Sequence, residues 1–210
     1  RAFDGKPSAP AFGEKIPEPV MKREAFIVPS DVCYVAKGAD VGSLGAYAGE
    51  WQVLASALSF DYLWNEVRVK GGAYGVGFRR TPEGFGRFYS FRDPAVDPTI
   101  ERFDAAGSWL ASFDPSEEEM EGYIVSTVAS HDAPAKPRQV ARRQDAQFFC
   151  EKPAGYRERL RAEKLATTPE KLRACSAVLD EVARRGSVCV FGGEEVVRAS
   201  AEELDVIELM

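Results

Sequence analysis

Arg68 and Tyr74 stand on either side of the pair Gly71-Gly72, inside the stretch Asp61 to Gly77, DYLWNEVRVKGGAYGVG. A guanidinium and a phenol are both hydrogen-bond donors. Brought to one cleft across so short a connection, they would donate to a carbonyl oxygen or to the oxyanion that develops from it. The pair holds no nucleophile and no metal ligand. On this reading it is half of a site, useful only if another domain brings the reacting group. The same residues also fit a plainer pattern, and by pattern alone that one has the advantage. Arg68 would be an arginine at a helix C-terminus, facing the negative end of the dipole. Tyr74 would be an ordinary strand aromatic.

Other chemistries find less support. The only histidine is His131, in a proline-rich run read as an exposed loop from His131 to Pro137. The cysteines at 33, 150, 175 and 189 form no C-x-x-C pair, so no zinc site of three or four ligands is expected. Nucleophilic catalysis through His131 lacks a G-x-S-x-G elbow. The run KGGAYGVG resembles a phosphate loop only in its glycines. It lacks the Gly-Lys-Ser/Thr ending and follows a helix, which leaves a nucleotide-binding module through Gly71 to Gly77 as a weak rival. Glu117 to Glu119 suit a helix start, and Glu194, Glu195, Glu202 and Glu203 a solvated face, so no carboxylate pair is singled out for acid/base work.

The net charge of −6 argues against general nucleic-acid or anionic-membrane binding, and Lys136 to Arg143 (KPRQVARR) reads as a solvated helix start. No run reaches the ~18 apolar residues of a membrane span. Cys33 and Cys189 lie in apolar strand-like runs and Cys175 on a helix stripe. Free buried thiols point to a reducing compartment, the cytoplasm. The chain opens Arg-Ala-Phe-Asp, without Met, and residues 1–23 carry Pro7, Pro10, Pro17 and Pro19. This stretch reads as a linker or arm from a preceding domain, with one domain over 24–210.

Glu24 to Pro29 and Val32 to Lys37 read as strands. Leu44 to about Val67 reads as one long helix, with Leu44, Tyr47, Ala48, Trp51, Leu54, Ala55, Leu58 and Tyr62 at three- and four-residue steps. Leu63 and Trp64 widen its apolar side, and Gly71-Gly72 stop it. Ala73 to Arg80 and Gly86 to Arg92 form a hairpin. On its first arm Tyr74, Val76 and Phe78 share a face, and Gly75 and Gly77 leave the other bare to another backbone. Asp97-Pro98 is an expected helix start with Asp97 as N-cap. In Asp114-Pro115-Ser116-Glu117, Glu117 is placed for a capping box. Helices follow over Arg138 to Phe149, Gly155 to Leu165 and from the Thr168 cap to Gly186. Ser187 to Phe191 is a late strand, and a helical C-terminus is expected after Ser200. The order gives an α/β (α+β) fold, a mainly antiparallel sheet with helices packed on one face.

The string DYLWNEVRVKGGAYG resembles the C-terminal half of the pitrilysin/insulysin-type (inverzincin) zinc metallopeptidases, closest to their presequence-protease branch. REAFIVPSDVCYVAKGAD and SEEEM are similar to that branch as well, so the resemblance runs from about Arg23 through Phe191. It implies one domain of a four-domain clamshell that encloses a peptide-sized chamber. The His-x-x-Glu-His zinc motif of the family lies in its first domain and has no counterpart here. Zinc would then belong to the full-length protein, held by N-terminal domains that act as partners of this one. Arg68 and Tyr74 match the family's pair that holds the substrate backbone and stabilises the tetrahedral intermediate. Gly71, Gly72 and Ala73 are the expected substrate-binding neighbours. The alternative within the same fold is a non-catalytic scaffold or partner subunit.

Overall fold

The computed structural model describes residues 20–208. The arm expected over 1–23 thus falls, up to residue 19, outside the described residues. Six strands form one sheet in the order β3-β4-β2-β5-β1-β6. They are β1 (Arg23–Ile27), β2 (Cys33–Asp40), β3 (Gly75–Arg80), β4 (Phe85–Asp93), β5 (Ser187–Gly192) and β6 (Asp205–Glu208). The pairs β3–β4, β4–β2 and β2–β5 are antiparallel, while β1 runs parallel to β5 and β6. The sheet is therefore mixed, with its antiparallel pairings gathered around β2.

Alternation along the strands decides what each face does. Val35, Phe78, Phe88, Val188 and Val190 are buried beneath helices. Tyr34, Tyr89, Phe91 and Phe191 point the other way and stay exposed. The helical layer holds α1 (Glu50–Ala57), α2 (Asp97–Asp104), α3 (Ala106–Ala111), α4 (Glu117–Asp132), α5 (Pro137–Phe149), α6 (Tyr156–Leu165), α7 (Pro169–Ala174), α8 (Ser176–Arg185) and α9 (Glu194–Arg198). Phe88 stacks on Phe103 of α2 at 5.1 Å and meets Phe78 at 4.6 Å, which ties the β3–β4 hairpin to the helices.

Lys37 points from β2 into this core with its side chain 4% exposed, and its ammonium lies 2.6 and 2.8 Å from the two oxygens of Asp104. Asp104→Asn strands that charge. The Asp104 side chain is 38% exposed, so the expected loss is about 1 to 2 kcal/mol of unfolding free energy, read from urea denaturation of this chain.

Several expected boundaries move, each for a physical reason. The long helix begins at Glu50, not Leu44. Arg80, buried on β3, donates to the carbonyls of Val41 and Gly45 and so holds those groups outside a helical ladder. From Leu58 to Val69 the helix is wound as a π-helix, with Lys70 N–H bonded to the Asn65 carbonyl at 3.0 Å. Its buried residues are Leu58, Tyr62, Leu63 and Val67, and the five-residue step from Leu58 to Leu63 suits that wider turn. Asp97 caps nothing: its carboxylate accepts from the Ser200 hydroxyl and the Ala201 N–H, and Val96 takes the N-cap position of α2, with Asp97 as its first residue. The capping box of α4 joins Ser116 to Glu119, so Glu117 is not its partner. The chain beyond Ser200 forms strand β6 beside β1, where a helix was expected. The Thr168 cap stands, but the helix after it is divided at Cys175 into α7 and α8.

Candidate functional site

Arg68 lies in the last turn of the π-helical segment, where wide i→i−5 winding is common near functional groups. Gly72 ends that segment with φ of 86°, and its N–H bonds the Arg68 carbonyl at 2.9 Å. Any L side chain there would be strained. At Gly71 a Cβ would run into the Val67 carbonyl. The glycine pair is thus what lets the chain turn back within reach of Arg68. Ala73 follows with its side chain buried and its N–H on the Val67 carbonyl at 3.2 Å.

Tyr74 stands just before β3 and is 60% exposed, so it does not share the buried face of Phe78. The structure brings the two expected donors together. The Arg68 guanidinium carbon is 5.6 Å from the Tyr74 ring centroid. Two further residues complete the arrangement. Trp64, expected in the apolar side of the helix, is instead exposed, and its ring carries the Arg68 guanidinium at 3.9 Å. Arg92 approaches the same phenol at 5.8 Å, and its carbonyl accepts the Tyr74 N–H at 3.2 Å. The four-residue step from Trp64 to Arg68 was a readable signal. Arg92 had none in the sequence, because its place depends on pairing with β2.

Phe91 holds Tyr74 edge-on at 5.6 Å. The glycine face of β3 is not bare: a Cβ at Gly75 would run into the Phe91 ring and one at Gly77 into Tyr89. The glycines admit the rings of the neighbouring strand, not a foreign backbone. On the same open face Arg79 sits directly opposite Arg87. None of Arg68, Arg79, Arg87 and Arg92 has a carboxylate partner among the described residues, although the chain is acidic overall.

His131 belongs to the last turn of α4, not to a loop. Its Nδ1 lies 2.8 Å from the ammonium of Lys164, which is 1% exposed. Burial, and then the nearby charge of Arg157, push the Lys164 ammonium down to about 8 from 10.5. Between those pH values the unfolded chain holds a proton that the folded chain lacks, so this lysine makes stability rise with pH there and costs stability below 8. Lys164→Met is expected to remove that slope, so that its stability relative to wild type is greater at pH 7 than at pH 10. Urea midpoints of both chains at pH 7 and pH 10 measure the difference. Among the described residues no group of three or more His, Cys, Asp and Glu could hold a metal ion.

The fold is that of the M16 peptidase domains. Pitrilysin superposes with a TM-score of 0.60 at 15% identity, over 90% of this chain and 22% of that one. A structure described as a peptidase M16 inactive domain from Pseudomonas fluorescens gives 0.60 at 19% identity, over 91% and 48%. The chain belongs to the PreP C-terminal domain family, whose model matches residues 23–193. It is 33% identical over 184 residues to Protein HypA of Clostridium perfringens, covering 86% of this chain and 19% of that protein. It is 28% identical over 193 residues to Presequence protease 1, chloroplastic/mitochondrial, of Arabidopsis thaliana, covering 90% and 18%. The chain thus spans about a fifth of the length of these relatives. No helix among the described residues is long and apolar enough to cross a membrane.

Proposed function

We propose that this chain is the substrate-clamping, non-zinc domain of a multidomain endopeptidase that degrades short unfolded peptides. Arg68 and Tyr74 donate hydrogen bonds to the peptide backbone and stabilise the tetrahedral intermediate as negative charge collects on the carbonyl oxygen. The observation that carries this reading is the meeting of an exposed phenol and a guanidinium with no carboxylate partner among the described residues, 5.6 Å apart across a turn that the positive φ of Gly72 permits. A scaffold has no use for such a pair. Zinc would be held by other domains of the full-length protein, and those domains are the partners that close the cleft. Gly71, Gly72 and Ala73 would adjoin the peptide. With the N–H groups of Gly72 and Ala73 already bonded, that contact would run through carbonyl oxygens accepting from the peptide. The four cysteines are free, which suits a reducing compartment such as the cytoplasm.

Photo-crosslinking tests the placement. A peptide with a benzophenone side chain beside the cleaved bond, bound to the full-length protein, is expected to label the segment from Trp64 to Tyr74. Labels confined to other domains would overturn the reading.

A further inference from the structure

Strands β2 and β4 pair residue for residue except at one point. Cys33 faces Asp93 and Tyr34 faces Phe91, which leaves Arg92 as the extra residue of a bulge. Bulges re-aim side chains and gather near active sites. Arg92 has φ of 50°, the left-handed region that a non-glycine side chain enters at a cost. Its carbonyl fixes the Tyr74 backbone, and its guanidinium lies 5.8 Å from the Tyr74 ring, against 5.6 Å for Arg68. The nearest carboxylate in sequence gives it no partner. Asp93 is fully buried and accepts from the Thr99 hydroxyl at 2.8 Å and the Ala95 N–H at 3.2 Å. This exposed surface therefore presents two guanidinium groups around one phenol, with no acid paired to them among the described residues.

One guanidinium and one phenol suffice for a peptide carbonyl. A second full charge finds nothing to answer it in a neutral backbone. The fork of an arginine matches a carboxylate two bonds at a time. We propose that Arg92, acting with Arg68, is a specificity residue that binds a carboxylate of the peptide close to the bond that is cut. This inference rests on the cleft reading above. The carboxylate is either an Asp or Glu side chain or the free C-terminus, and the chemistry of recognition is the same.

The test uses the full-length protein and four peptides of one sequence, with Glu or Gln beside the cleaved bond and a free or amidated C-terminus. In the wild type, kcat/KM is expected to favour one carboxylate over its neutral partner by about tenfold, the size of one charge-assisted contact. The arm that shows the preference identifies the source. Arg92→Asn tolerates the left-handed backbone and is expected to bring that ratio to about one, while Arg92→Lys keeps part of it. Should the Asn variant fail to fold, Arg92→Gly carries the same measurement, since glycine adopts this φ freely. A wild type that cuts all four peptides alike overturns the proposal, as does a preference that survives loss of the arginine. Failure of the cleft reading would show separately, as an unchanged kcat in Tyr74→Phe.

Discussion

Tyr74→Phe in the full-length protein is expected to lower kcat on an unstructured peptide by about 100- to 1000-fold. That is the usual effect of losing one oxyanion donor, about 3 to 4 kcal/mol. The substitution isolates the hydroxyl because the ring is placed by other means. Phe91 packs against its edge, and the guanidinium groups of Arg68 and Arg92 lie near its face. None of these contacts needs the phenolic oxygen. The side chain is 60% exposed, so the fold loses little by the change. If the hydroxyl acts on the transition state, kcat falls and KM stays near its wild-type value. Metal content is expected to be unchanged, since no group of metal-ligating side chains is found among the described residues. Turnover equal to wild type would remove Tyr74 from the chemistry.

Arg68→Lys is the second large effect, with an expected loss of about 100-fold in kcat/KM. Lysine keeps the charge but not the planar fork. It also loses the stacking that holds Arg68 at 3.9 Å over Trp64. A flexible ammonium placed there would still attract a peptide, so the deficit is expected mainly in kcat. Trp64→Leu should reproduce a smaller part of the defect, because it leaves the fork intact and removes only its platform. Near-wild-type activity in Arg68→Lys would mean that charge alone is used, and the hydrogen-bonding role would fail.

Much of this arrangement was legible because it is local. Gly71-Gly72 announced a turn, and Arg68 and Tyr74 were close in sequence, so their meeting followed from the turn. The Thr168 cap and the β3–β4 hairpin are likewise written in neighbouring residues. What escaped depends on partners distant in the chain. Leu44 to Gly49 has a helical pattern, yet Arg80 on a later strand takes the carbonyls of Val41 and Gly45. Asp97 has the form of a cap, yet it bonds Ser200 and Ala201 and so leads the chain toward β6. Trp64 looked like core because a 3.6-residue period was assumed where the helix is wound more widely. Arg92 reads as the end of a strand until β2 is laid beside it.

The most direct measurement is a double-mutant cycle on the full-length protein, with Arg68→Ala and Tyr74→Phe singly and together. Two donors to one developing oxyanion act as a unit. The double variant is then expected to lose about as much kcat/KM as the worse of the two single variants. If the two losses simply multiply, Arg68 and Tyr74 work independently. If neither variant loses activity, the surface around Arg68 and Tyr74 is not where peptide is cut.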